Sequence, residues 1–275
     1  MDNPLLEAMN NRDVSDCGGP SGRENRSVRL VDLARVLVRA FLIQAWWNFH
    51  RMQNVGFLFS LWPVLKRLYP DKRERRDVAF RHLEFFNTHP CMANVVLGVV
   101  AGLEQEHVRR GAVSRDQIHS VKEYMAGPLA ALGDTIFWAA WRPFSAILAV
   151  AIGWHFVGKE WLFIPLLFLL IYNGLNFFMR YWGVFHGFYL KVQVIPFLVR
   201  LNVQSVVQWV YLLGIGLTVG ALMTLCLRFE KGLLWSGIFV PVSLFFLIFT
   251  KKVTSSHLLY IWVIGFVLLS VAGVI

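Results

Sequence analysis

The densest set of groups able to do polar chemistry lies at residues 44–54, Gln-Ala-Trp-Trp-Asn-Phe-His-Arg-Met-Gln-Asn, inside a stretch from Ala40 to Leu65 that is otherwise apolar and aromatic. Read as a helix turning about 100° per residue, this segment sets Gln44, Asn48 and Arg51 on one face with Trp47 at its edge. Amides and a guanidinium beside an indole plate suit a sugar, whose hydroxyls need donors and acceptors while its ring face packs on an aromatic. Polar groups left unsatisfied in a membrane cavity are costly, so the alternative is that they pair among helices. His50 lies about 120° from Gln44 on such a helix and points more toward Asn54 than toward the Gln44, Asn48 and Arg51 face.

A second candidate set is His-Leu-Glu-Phe-Phe-Asn-Thr-His-Pro-Cys at 82–91. Its His-x-Glu and Pro-Cys echo a zinc deaminase signature, but the second Cys that signature requires is Asn94 here, so no metal site is expected. Asn87 and His89 instead either break a helix ahead of Pro90 or face the same cavity as residues 44–54. Asp134, after a glycine and ahead of an apolar run, is a helix N-cap or a pathway residue. Arg142 follows two turns later, about 12 Å away on a single helix, so each needs a partner elsewhere. No GxSxG elbow, Walker lysine loop or GxGxxG occurs, so no catalytic residue and no cofactor is expected.

The elements that must position these groups are those of a membrane protein. The 275 residues are 56% hydrophobic and 16% charged, with a mean hydropathy of +0.53, outside the range of a soluble domain. Runs at Trp161–Met179, Val203–Leu227, Leu233–Thr250 and His257–Ile275 are uncharged and long enough to cross about 30 Å of hydrocarbon. The net charge of +10 is interleaved with these runs and accompanies no nucleic-acid motif, so it is assigned to anionic lipid and topology. Acidic residues almost vanish after Asp134, leaving Glu160 and Glu230, which places most of residues 1–135 on the cytoplasmic side.

Three divisions follow. Residues 1–27 read as a disordered polar tail without a cleavable secretion signal. Residues 28–135 read as an amphipathic and re-entrant helical region, mostly facing the cytoplasm and holding the candidate sugar motif. Residues 136–275 read as the transmembrane region. Arg29, Asp32, Arg35 and Arg39 at helical spacing mark an interfacial amphipathic helix. The apolar stretch Cys91–Leu103 is too short to span and suits a buried or re-entrant helix. Gly-Pro-Leu-Ala-Ala-Leu-Gly-Asp at 127–134 suggests a discontinuous helix beside a transport site, where Gly and Pro permit close approach. Gly187, Gly214, Gly216 and Gly220 are candidates for close helix packing, and Cys17, Cys91 and Cys226 are expected as free thiols. The fold class is therefore an all-α integral membrane protein with an amphipathic N-terminal helix, re-entrant or discontinuous helices and about five to six transmembrane segments.

The motifs QAWWNFHRMQNVGFLFSLWPVLKRLYP, RHLEFFNTHP, GPLAALGDTIFWAAWRP and RYWGVFHGF, in this order and spacing, resemble the enzyme IID subunit of mannose/fructose/sorbose phosphotransferase systems. The resemblance runs from about Leu33 to the C-terminus and is densest to about Phe188. It implies a subunit that forms a sugar pathway with a IIC membrane protein, as a trimer of heterodimers with an elevator-like motion. IIA and IIB carry phosphate, IIB phosphorylates the sugar, and IID itself carries none. Residues 44–54 depart from the family pattern at His50, where a glutamate is usual. The connector Arg-Phe-Glu-Lys-Gly at 228–232 is shorter than the polar stretch many members carry. These departures support an alternative, a regulatory or docking membrane protein that keeps the fold without moving sugar.

Overall fold

A computed structural model describes residues 26–153, 163–200 and 203–227, and the regular elements in this range are all helices. Most of the expected polar tail, Cys17, the 228–232 connector and the apolar runs from Leu233 and His257 lie outside the described residues. The described chain forms two compact units, one of residues 26–134 and 176–200, the other of 135–153, 163–175 and 203–227.

In the first unit, α1 (Leu30–Ala40) is the amphipathic helix expected from its charge spacing. Asp32 accepts the Arg29 N–H at 3.1 Å and starts the helix, while Leu33, Val36 and Ala40 are buried along one side. That side packs on α2 (Asn54–Leu68). At the end of α1 the buried Arg180 donates to the Ala40 carbonyl at 3.1 Å, and its guanidinium lies 4.8 Å from the centre of the Phe41 ring. A cation there satisfies a terminal carbonyl and complements the negative end of the helix. α3 (Lys72–His82) is capped by Asp71, whose carboxylate accepts the Glu74 N–H at 2.8 Å.

The centre of this unit is α4 (Ala93–Arg110), with every residue from Ala93 to Glu104 buried. The expected short buried helix is present and continues into the charged segment until Gly111, in the left-handed region at φ 63°, ends it. Glycines set its contact with α7 (Phe163–Leu190). A Cβ on Gly98 would fall 2.4 Å from the Val184 carbonyl oxygen, and one on Gly187 would fall 2.6 Å from that of Val95. The two backbones therefore touch where side chains would have held them apart.

α5 (Arg115–Gly133) begins at Ser114, which exchanges hydrogen bonds with Gln117 in a capping box. The helix then runs unbroken through Pro128, passes into a π-helical stretch at Asp134–Trp141, and continues as α6 (Arg142–Gly153). The discontinuous helix expected at 127–134 is thus corrected to a change of helical pitch. A wider π turn accommodates a backbone irregularity without opening the helix. The whole run, Arg115–Gly153, and a second, Phe163–Pro196, are long and apolar enough to cross a membrane.

In the second unit α9 (Val203–Leu227), which follows α8 (Val194–Arg200) in the chain, packs on α6. The Trp141 indole donates to the Ile171 carbonyl at 3.3 Å. A Cβ on Gly153 would fall 2.3 Å from the Ile164 side chain, whereas one on Gly214 would sit at an ordinary 3.8 Å from Phe144 and one on Gly216 would meet nothing among the described residues. Of the glycines expected to pack closely, Gly187 does so.

Candidate functional site

Residues 44–53 are not helical. After α1 the chain makes successive turns, closes a bridge between Asn48 and Met52, and enters α2 only at Asn54. The physical reason is local competition for the backbone. The Asn48 side-chain oxygen accepts the Arg51 N–H at 2.8 Å and its amide donates to the Met52 carbonyl at 3.3 Å. Such side-chain capture offers the chain an alternative to the helical ladder. Met52, at φ 54°, takes the left-handed conformation that reverses direction. The helical face of Gln44, Asn48 and Arg51, and the 120° offset assigned to His50, are therefore withdrawn. Gly56 lets this loop lie against α2, since a Cβ there would fall 1.9 Å from the Ile43 oxygen.

The loop is fastened to the irregular segment that follows α3. Asn48 donates to the Asn54 side-chain oxygen at 2.9 Å, and Asn54 donates to the Leu83 carbonyl at 2.6 Å. Arg51 reaches the same carbonyl at 3.1 Å. Buried Gln53 forms a reciprocal pair with the Thr88 backbone, donating to its carbonyl at 2.8 Å and accepting its N–H at 3.2 Å. The Gln53 N–H donates to the Phe86 carbonyl at 2.9 Å, and the Thr88 hydroxyl donates to the Ala126 carbonyl at 2.9 Å.

The structure thus brings Asn48, Arg51 and Asn54 together, with the two asparagines turned inward to hold the loop. Gln44, Trp47, His50 and the bulk of Arg51 are exposed on it, as is Asn87 on the segment fastened to it. Trp47 packs edge-on against Phe49, which is 85% exposed, and Trp46 meets Phe59 in a tilted pair with 4.6 Å between ring centres. The segment therefore offers amide, imidazole and guanidinium groups among aromatic faces on a fixed scaffold.

His89 is buried against Gly133, where a Cβ would fall 2.4 Å from the ring-bearing carbon. Its Nδ1 accepts the Cys91 N–H at 3.3 Å. Burial lowers its basicity to a pKa of about 4, against the opposing pull of Asp134 and with the help of Arg180. Asp134 has helical backbone angles within a continuous helical run, so its reading as an N-cap is corrected. The exposed Arg142 lies over the Trp138 ring at 5.6 Å. Cys91 is a free buried thiol donating to Asn176 at 2.9 Å, and burial pushes it up to about 11.

Sequence reasoning missed the most strongly coupled polar group. Glu104 is fully buried, with one oxygen accepting the Tyr69 hydroxyl at 2.5 Å. The other oxygen accepts from Arg81 at 2.5 Å and from His82 Nε2 at 2.9 Å. Burial alone would raise its pKa, but the His82, Arg81 and Tyr69 donors outweigh that and hold it at about 2. Burial keeps His82 below its usual range and therefore neutral, donating from Nε2. Its buried Nδ1 is left without a partner, a smaller cost for a lone pair than for the N–H of a charged ring. Buried Lys122 completes the cluster, donating to the His82 carbonyl at 3.2 Å and resting 4.7 Å from the centre of the Phe57 ring. A signal was available, because Leu97, Ala101, Glu104 and Val108 fall on one helical stripe and only one of them is charged.

Two of the described helical runs are long and apolar enough to cross a membrane, which fits a helical integral membrane protein. Residues 28–237 match the family described as the PTS system mannose/fructose/sorbose family IID component, and the chain belongs to that family. It is 37% identical over 195 residues to the mannose-specific EIID component of Escherichia coli K12, covering 70% of this chain and 66% of that protein. The sorbose-specific EIID component of Klebsiella pneumoniae is 32% identical over 203 residues, covering 73% and 72% of the two chains. Among solved structures, one described as a membrane protein is 30% identical with a TM-score of 0.66, covering 90% of this chain and 97% of that one. A chain of the mannose transporter ManYZ in complex with microcin E492 is 28% identical with a TM-score of 0.56 over the same shares.

Proposed function

We propose that this chain is the IID translocation subunit of a mannose-family, phosphoenolpyruvate-dependent sugar phosphotransferase transporter. It lies as a multi-pass protein in the bacterial cytoplasmic membrane and forms the pathway for a hexose-type sugar with a IIC subunit, in a trimer of IIC–IID heterodimers. The cytoplasmic IIA and IIB proteins carry phosphate and IIB phosphorylates the sugar, so this chain transports without catalysing. Residues 28–135 hold the pathway motif and 136–275 the main membrane-spanning region.

The observation carrying this reading is the fastened loop at 44–53. Its scaffold is closed by Asn48, Gln53 and Asn54, while Gln44, Trp47, His50 and Arg51 are left outward. Outward polar groups of this kind suit sugar hydroxyls, and exposed Trp46, Trp47 and Phe49 suit cover by a partner protein. Asn87 lies exposed nearby and belongs to the same surface, whereas His89 is buried and serves packing, and Asp134 and Arg142 are exposed residues with a structural or pathway role.

Co-expression with IIC, IIA and IIB, followed by phosphoenolpyruvate-dependent sugar uptake, tests the assignment. Uptake that requires this chain, with label on IIA and IIB but on none of its own histidines, is the expected result. Stable phosphohistidine on this chain would overturn it. His50 in place of the family's usual glutamate favours a second reading, a regulatory or docking protein with this fold. Assembly with IIC without any uptake would support that one.

A further inference from the structure

α3 presents a surface that the transport reading does not use. An open groove of about 380 Å³ runs between it and α2, with Trp62, Phe80 and Leu83 as apolar lining and Lys72, Arg75 and Arg76 as its basic groups. The aromatic and cationic groups are arranged against one another. Arg75 lies 5.8 Å from the centre of the Trp62 ring and donates to the Tyr69 and Pro70 carbonyls at 2.9 and 3.2 Å. Arg76 lies 5.5 Å from the centre of the Phe80 ring, and Phe80 is 57% exposed. Arg75 is thus fixed by the fold, while Lys72 and Arg76 are exposed.

We propose that this groove binds an anionic phospholipid, with its phosphate at Lys72 and Arg76 and the first methylenes of a tail over Trp62, Phe80 and Leu83. Charge complementarity selects an anion, because Lys72, Arg75 and Arg76 are the charged residues of a groove otherwise lined by Trp62, Ala79, Phe80 and Leu83. The apolar lining selects an amphiphile, because a soluble phosphate would leave Phe80 and Trp62 facing water. The concave shape and small volume fit a headgroup with a short length of chain better than the flat face of a folded acidic protein. The inference does not depend on sugar transport. It has a bearing on the loop, however, because Leu83 lines the groove and its carbonyl takes the hydrogen bonds of Arg51 and Asn54. A lipid seated here would press on the residue that anchors the loop.

The test uses the full chain in neutral detergent, titrated with phosphatidylglycerol, phosphatidylcholine and glycerol 3-phosphate and read by native mass spectrometry. Phosphatidylglycerol is expected to bind, with the other two weaker by about tenfold or more. K72Q/R76Q is expected to lower that affinity about thirtyfold, and F80A about tenfold, with unchanged melting in lipid-free detergent. R109Q/R110Q, which removes two exposed charges elsewhere, should leave it within about twofold. An equal loss in R109Q/R110Q would mean diffuse attraction, and equal binding of glycerol 3-phosphate would mean a soluble phosphate site. Phosphatidylglycerol binding untouched by K72Q/R76Q and F80A would place the lipid outside this groove. Each of these three results overturns the proposal.

Discussion

Replacing Glu104 with Gln is expected to cost about 3 kcal/mol of stability. The carboxylate serves Tyr69 with one oxygen and Arg81 and His82 with the other. A glutamine keeps the shape, but it offers one oxygen to three donors and turns its own N–H₂ toward at least one of them. It also leaves the Arg81 guanidinium, whose Nε and Nη1 are already buried without partners, as a charge with no anion beside it. Removing one member of a buried pair typically costs about 3–5 kcal/mol. The protonation equilibrium leads to a similar size, since a fall from the ordinary 4.5 to about 2 is linked to about 3 kcal/mol. Because the folded value is the lower one, this contribution is complete above about pH 4.5 and is lost as pH falls toward 2. The lowered His82 and His89 act earlier. Both are stabilising as neutral rings above their ordinary 6.5, and that stabilisation fades as acid charges them, for His89 down to about 4. Detergent-solubilised full chain, unfolded with SDS and followed by tryptophan fluorescence from pH 7 to pH 3, measures both effects. Glu104→Gln should lower stability at pH 7 and flatten the slope below 4.5, and adding Arg81→Met should recover part of the loss. Stability within about 0.5 kcal/mol of the parent at pH 7 would refute the assigned role.

Three further outcomes are expected. Asn48→Ala should abolish uptake and open residues 44–53 to proteases while leaving assembly with IIC intact, and a protected loop in that variant would show that Asn48 does not organise it. Gly98→Leu should cost about 3 kcal/mol or more on the same SDS titration, because its Cβ alone would meet the Val184 oxygen at 2.4 Å. Normal stability would mean that α4 and α7 are not in backbone contact. His50→Glu should tighten sugar binding, because a carboxylate accepts from two hydroxyls where an imidazole cannot; unchanged affinity would place residue 50 outside the pathway.

The periodic parts of the fold were legible in the sequence. Charges at 29, 32, 35 and 39 marked α1, and the apolar run from Cys91 marked a buried helix, because both depend on spacing within one element. The shape of residues 44–53 was not legible, since Asn48 and Met52 reverse a chain that the polar spacing alone makes look helical. Glu104 was hidden by its neighbours. Set beside Glu106, His107, Arg109 and Arg110 it reads as part of a solvated charge run, and its partners Tyr69, Arg81 and His82 lie far back in the sequence. Among the candidate residues, Arg51 and Asn54 meet at the Leu83 carbonyl and Asn48 bonds Asn54, but through a turn and not through a helical face.

That meeting point has an evolutionary consequence. The oxygen accepting Arg51 and Asn54 belongs to the main chain of Leu83, and the groups pairing with Gln53 belong to the main chain of Thr88. Mutation at position 83 changes a side chain but cannot delete that acceptor. At position 88 only proline would remove the N–H that Gln53 accepts. Selection to keep the loop closed therefore acts almost entirely on Asn48, Arg51, Gln53 and Asn54. The opposite segment can drift in chemistry, and the groove beneath Leu83 can diversify among relatives, while the loop keeps its form.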